Sequence, residues 1–181
     1  MSLANSITQS DRIGIIATLA QRKPDIGATA LMKSVYLLQE LYDVPLGYDF
    51  TIYTYGPYSA QVIYDVDASA MGKFVTFTYV QAGNSFRRNY RIGEKFEETD
   101  LSFSSQFEEQ IAQVINEFSG RTAYELELAA TIVYTYAYYK RNELEMNDEI
   151  IINAVHKIKP HFTIDKIKSE YENLNNKKFL N

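Results

Sequence analysis

The 181-residue sequence predicts an α+β fold, a winged helix-turn-helix-like N-terminal half (helix-helix-strand-helix-hairpin) packed on a C-terminal helical half. Three observations predict it. Hydrophobic spacing over residues 1–96 alternates between helical and strand periods in that order. Residues 97–181 carry helical periods only. Charge divides at the same place: residues 1–96 hold nine Lys/Arg and eight Asp/Glu, whereas residues 97–181 hold nine and fifteen. The polar run Glu97–Asp100 is the expected seam. It is not rich in Pro, Ser or Gly, so the two halves are expected to form one compact unit.

The first helix is expected over Asp11–Arg22, with Ser10-Asp11 as its cap and Ile13, Ile16, Ala17 and Ala20 at helical spacing. Pro24 ends it, because the residue before a proline is driven from the helical region. Leu31, Val35, Leu38 and Tyr42 mark one face of a second helix, residues 27–42. Tyr48–Tyr55, rich in aromatic and β-branched residues, reads as a strand that Gly56-Pro57 turns. Ser59 caps a third helix ending at Met71, before Gly72. Lys73–Val80 and Phe86–Ile92 form a hairpin around Gln81–Ser85. The first strand is expected to pair with this hairpin.

In the second half Phe107, Ile111, Val114 and Phe118 place a helix over 102–118. Thr122 and Glu125 form a capping box. The helix they open runs to about Lys140 and is charge-free from Leu128 to Tyr139, so it is expected to be buried centrally. Asn147 caps a helix over 148–158, and Thr163 caps the last, to about Asn173.

Composition excludes whole classes of chemistry. There is no cysteine, hence no disulfide, thiolate metal site or cysteine nucleophile. This suits a reducing, cytoplasmic setting. No apolar run reaches the 18 residues of a membrane span, and no signal peptide is read. A net charge of −5 argues against a globally basic nucleic-acid footprint. Tryptophan is absent, yet there are 15 tyrosines.

No phosphate-cradling glycine loop and no catalytic serine motif occurs. His156 and His161 are five apart across Pro160 and do not form an i, i+4 ligand pair. Asp65 and Asp67 fall on different helix faces and read as solvated side chains. No cofactor, metal or catalytic residue is therefore expected, and the chain is read as a non-enzyme; an enzyme with an unrecognised site ranks last.

Four runs together resemble a known family: Leu31-Met32-Lys33-Ser34-Val35-Tyr36-Leu37-Leu38-Gln39, Tyr53-Thr54-Tyr55-Gly56-Pro57-Tyr58-Ser59, Leu126-Glu127-Leu128-Ala129-Ala130-Thr131 and Lys159-Pro160-His161-Phe162-Thr163. The chain is similar to the bacterial YwgA-like proteins and, more distantly, to the Panacea antitoxin-like domain family, over roughly residues 10–180. Lys33 stands at that family's helix lysine, while Val35 replaces a frequent leucine. The resemblance implies a winged-helix-like α+β fold and an antitoxin-like function, neutralising a toxin by direct contact.

Two surfaces are candidates for binding. Tyr53, Tyr55 and Tyr58 surround the Gly-Pro turn, and an amphipathic aromatic patch is what protein interfaces favour; packing of these rings against the C-terminal helices is the competing reading. Lys73, Arg87, Arg88 and Arg91 cluster on the hairpin and suit a nucleic acid or an acidic partner. Arg87 and Arg91 share a face, with Arg88 opposite. The third helix is a poor reader of bases, since Gln61 is its only side chain of the usual kind. The function expected is a protein-interaction module that binds a protein partner, with self-association compatible with it; the alternative is a winged-helix DNA-binding transcriptional regulator.

Overall fold

The computed structural model describes residues 7–180, in which the elements run α1 (Gln9–Arg22), β1 (Ile26–Gly27), α2 (Ala28–Leu41), β2 (Thr51–Tyr53), β3 (Gly56–Tyr58), α3 (Ala60–Met71), β4 (Val75–Ala82), β5 (Ser85–Ile92), α4 (Glu108–Phe118), α5 (Ala123–Arg141), α6 (Asp148–Ile158) and α7 (Ile164–Asn176). The fold is α+β: mainly helical, with a small antiparallel sheet. Two compact units divide the chain. One takes residues up to Phe50 and Ser59–Gly120; the other takes Thr51–Tyr58 and the chain from Arg121 onward.

In the first unit α1, α2, α3 and α4 bury a common core that includes Ile16, Leu19, Leu31, Val35, Leu38, Val62, Val66, Ile111, Val114 and Phe118. Helix α1 begins earlier than Ser10-Asp11 suggests. Thr8 is its cap, accepting from the Asp11 backbone N–H while the Asp11 carboxylate accepts from the Thr8 N–H at 2.8 Å. The sheet has the order β1-β5-β4, all antiparallel.

That order corrects the expected pairing. The strand after α2 does not join the hairpin; Ile26-Gly27, directly before α2, pairs with Tyr90 and Asn89 of β5. A two-residue strand ended by a helix leaves no period-two pattern to read. The hairpin is also shifted. Lys73 has a φ of 65° and cannot extend the strand, while Gly83 at φ 60° closes a two-residue turn with Asn84.

The expected seam at Glu97–Asp100 lies inside this unit. Phe96 is buried, and Gly14 on α1 admits the chain beside it: a Cβ there would sit 2.7 Å from the Asp100 carbonyl oxygen. Thr18 then donates to the Ser104 hydroxyl at 3.0 Å. The helix expected from residue 102 starts at Glu108. Before it, Ser104–Phe107 forms a 3-10 turn, led by Asp100 accepting from both the N–H and the hydroxyl of Ser102.

In the second unit α5, α6 and α7 pack around Ile132, Ile151, Val155, Phe162, Ile167 and Leu174, with β2 and β3 as a small hairpin against α5. Thr122 and Glu125 close the capping box expected for α5. Burial of α5 holds from Leu126 to Val133 and then lapses; Tyr134, Tyr136 and Tyr139 are half-buried and Tyr138 is exposed. A phenolic hydroxyl needs a partner or water, so a tyrosine-rich helix end favours the surface.

Candidate functional site

The side chains nominated from the sequence stand on two hairpins, one in each unit. The first is β2–β3. Residues 48–55 are not one strand turned by Gly56-Pro57. The turn is Thr54-Tyr55, and Gly56-Pro57-Tyr58 is the return strand, with Ile52 opposite Pro57 and Tyr53 opposite Gly56. Gly56 has a φ of 85°, which L side chains rarely adopt. A short edge strand tolerates Pro57 because its missing N–H leaves no ladder gap inside a sheet.

Alternation then sorts the residues. Pro57 is buried and Ile52 half-buried on one face, while Tyr53 and Tyr58 share the other with ring centroids 5.6 Å apart. Tyr53 is 66% exposed, Tyr55 67% and Tyr58 36%. Within the second unit these rings are not core.

A charged clamp holds this turn. Lys159, at the end of α6, is 4% exposed. Its ammonium donates to the carbonyl of Tyr53 at 2.9 Å and to that of Thr54, and lies 3.0 Å from Glu127 Oε1 on α5. Glu127 is itself buried, with His161 Nε2 at 3.4 Å from the same oxygen. The Tyr124, His161 and Phe162 rings stack beside it, and Lys166 lies over Tyr124. The ammonium donates to two turn carbonyls and balances the Glu127 carboxylate as an ion pair, while Glu127 Oε1 itself takes no hydrogen bond. Sequence reasoning gave Lys159 and Glu127 no role. Glu125 lies two residues before Glu127 and Lys157 two before Lys159, so nothing local marks the buried member of either pair; only the fold brings the two buried charges together.

The second place is β4–β5. Arg87 and Arg91 fall on one sheet face, opposite Val80 and Thr76; Arg88 falls on the other, opposite Tyr79. Arg87 and Arg91 are exposed and have no ion pair among the described residues. Arg88 is committed: it donates to Asp67 Oδ1 of α3 at 2.7 Å and lies 4.7 Å from the Phe77 ring. Hydrogen bonding to Tyr90 and then to Asp67 pushes its pKa up. Lys73 pairs with Glu94 at 2.6 Å. The four cations do not act as one patch.

Helix α3 differs from its sequence reading too. Asp65 is not solvated. It is fully buried, accepting from Arg12 Nε at 2.7 Å, from the Tyr48 hydroxyl at 2.9 Å and from Gln9 at 2.9 Å. Burial first, then Asp65, drives the Tyr48 pKa far upward. The outward side chains of α3 are Gln61, Ile63, Tyr64 and Met71, the last 85% exposed.

Among the described residues no group of three His, Cys, Asp or Glu could hold a metal ion, and no helix is long and apolar enough to cross a membrane. No family model matches the chain, and no curated protein matches it.

Proposed function

We propose that this chain is a protein-interaction module, antitoxin-like in its action, that works by binding a partner protein and not by catalysis. The observation that carries the reading is the β2–β3 turn. Tyr53 and Tyr55 project into solvent from a backbone whose carbonyls are pinned by the buried Lys159 ammonium. Tyrosine anchors contribute strongly to interfaces, and a turn already ordered before contact loses little further entropy on binding. Cytoplasmic residence belongs to the same proposal and rests on the absence of cysteine.

The test is neutralisation. A small reading frame beside the gene, toxic when expressed alone, should be silenced by co-expression of this chain. Tyr53→Ala with Tyr55→Ala should abolish rescue while circular dichroism stays unchanged. Full rescue by the double variant would remove the turn from the interface, and the absence of any stoichiometric protein partner would end the reading.

A winged-helix DNA-binding regulator is the second reading. It is favoured by the order α1-β1-α2-α3-β4-β5 with sheet order β1-β5-β4, and by the exposed Arg87 and Arg91. The outward face of α3 weighs against it, because Ile63, Tyr64 and Met71 offer little hydrogen bonding to base edges. Arg87→Ala with Arg91→Ala should then abolish duplex binding at low salt. Failure of the unaltered protein to bind duplex there dismisses this reading.

A further inference from the structure

Strand β4 is an edge of the three-stranded sheet, and it lacks the charges, prolines and bulges that often protect an edge. Its eight residues, Val75–Ala82, contain no charge and no proline, and eight consecutive pairs with β5 leave no bulge. Long, flat, uncharged edges are templates for another strand.

The free groups can be assigned. The Gly93 N–H donates to the Phe74 carbonyl in the same register. Alternation along an antiparallel ladder therefore turns residues 76, 78, 80 and 82 toward β5 and the backbone groups of Phe77, Tyr79 and Gln81 outward. No hydrogen bond among the described residues uses those outward groups. The opposite side of the hairpin tip is different. There β1 covers only Asn89 and Tyr90, and the remaining β5 edge carries Arg87 and Arg88.

Charge and side-chain pattern specify the occupant. Neither β4 nor β5 contains an acid, and Arg87 and Arg91 have no ion pair among the described residues on the face shared with Thr76, Thr78 and Val80. A strand added beside β4 lies about 10 Å from β5, two strand spacings, which an arginine and a glutamate span between them. The other face offers Phe77, Tyr79 at 63% exposure and Phe86 at 72%. A second copy of β4 would bring no acid to the arginines.

We infer that the β4 edge binds an extended segment of a partner protein, as an added antiparallel strand whose acidic residues alternate with apolar ones. Acids meet Arg87 and Arg91 on one face, and apolar side chains cover Phe77 and Tyr79 on the other. This surface is independent of the tyrosine turn, so either can fail without the other.

The test uses the full chain and capped eight-residue peptides alternating Glu with Val, or Lys with Val. The readout is amide hydrogen exchange. The Glu peptide should slow exchange of the Phe77, Tyr79 and Gln81 amides, and the Lys peptide should bind about tenfold more weakly or worse, since one or two partly exposed ion pairs become repulsions. Tyr79→Pro removes an outward N–H together with the Tyr79 ring, and should abolish protection of the Phe77 and Gln81 amides while leaving the β4–β5 ladder intact. Arg87→Glu with Arg91→Glu should invert the peptide preference. No slowing at millimolar peptide, or equal slowing by both peptides, overturns the proposal. Protection that grows with protein concentration alone would instead assign the edge to a second copy and also overturn it.

Discussion

The two hairpins solve one problem in opposite ways. The β2–β3 hairpin has three residues a strand, too few for its own ladder to hold it, and its turn is fixed from below by a buried lysine and glutamate. The β4–β5 hairpin has eight residues a strand and holds itself by ladder length, anchored at one point by Arg88 to Asp67. The short one presents side chains on a fixed backbone; the long one presents the backbone itself. Each hairpin needs rigidity from somewhere, and where local pairing is short a buried ion pair supplies it.

The contrast can be broken first at the clamp. Lys159→Ala leaves Glu127 buried without its cation and two carbonyls without a donor, and should cost about 3–5 kcal/mol by urea unfolding. Lys159→Met with Glu127→Leu should recover much of that loss, because burial of a lone charge is the larger part of it. A loss under 1 kcal/mol for Lys159→Ala would mean the turn is held by packing alone. A cap on the helix that carries Glu127 is next. Thr122→Ala removes the acceptor of the Glu125 N–H and should cost about 1 kcal/mol by the same measurement.

The long hairpin should be far less sensitive. Arg88→Ala breaks a pair whose members are 36% and 48% exposed, so about 0.2–1 kcal/mol is expected. A penalty like that of Lys159→Ala would erase the distinction between the hairpins. The last effect is absent at neutral pH and appears only in alkali. Burial, with Glu117 adding, pushes Tyr42 up to about 12, and Tyr48 and Tyr171 are raised too, by burial first and then by Asp65 and Asp148. A folded pKa above the unfolded value near 10 means stability is fully present below pH 10 and is lost as pH rises toward 12. Thermal midpoints should be flat from pH 7 to 9.5 on this account and fall above pH 10.

Much of the helical frame was legible because it is periodic. Residues 28–41, 60–71, 123–141 and 148–158 fall within a residue or two of expectation. The β-structure was read less well. Ile26-Gly27 is too short to show a period, and the return strand at Gly56-Pro57 looked like a turn because glycine and proline usually mark one. Of the candidate site, alternation separates Tyr53 and Tyr55 from Phe50 and Ile52 but leaves open whether their face packs on the C-terminal helices; their exposure is read from the structure. The partners of Arg88 and Lys73 do not follow from alternation, because Asp67 and Glu94 are each 21 residues away in sequence. Nor does the burial of Asp65, whose three donors come from α1 and from the loop before β2.

A partner protein that docks on the clamped tyrosine turn should be captured by cross-linking from that turn. A photoreactive phenylalanine analogue placed at Tyr55, in cells at native expression, should yield one discrete protein adduct. The same analogue at Tyr138, an exposed ring about 16 Å along α5 from Glu127, should not. Adduct formation at Tyr55 should also fall with Lys159→Met paired with Glu127→Leu, which frees the turn without leaving a buried lone charge. No adduct from Tyr55, or equal adducts from both positions, would contradict the account.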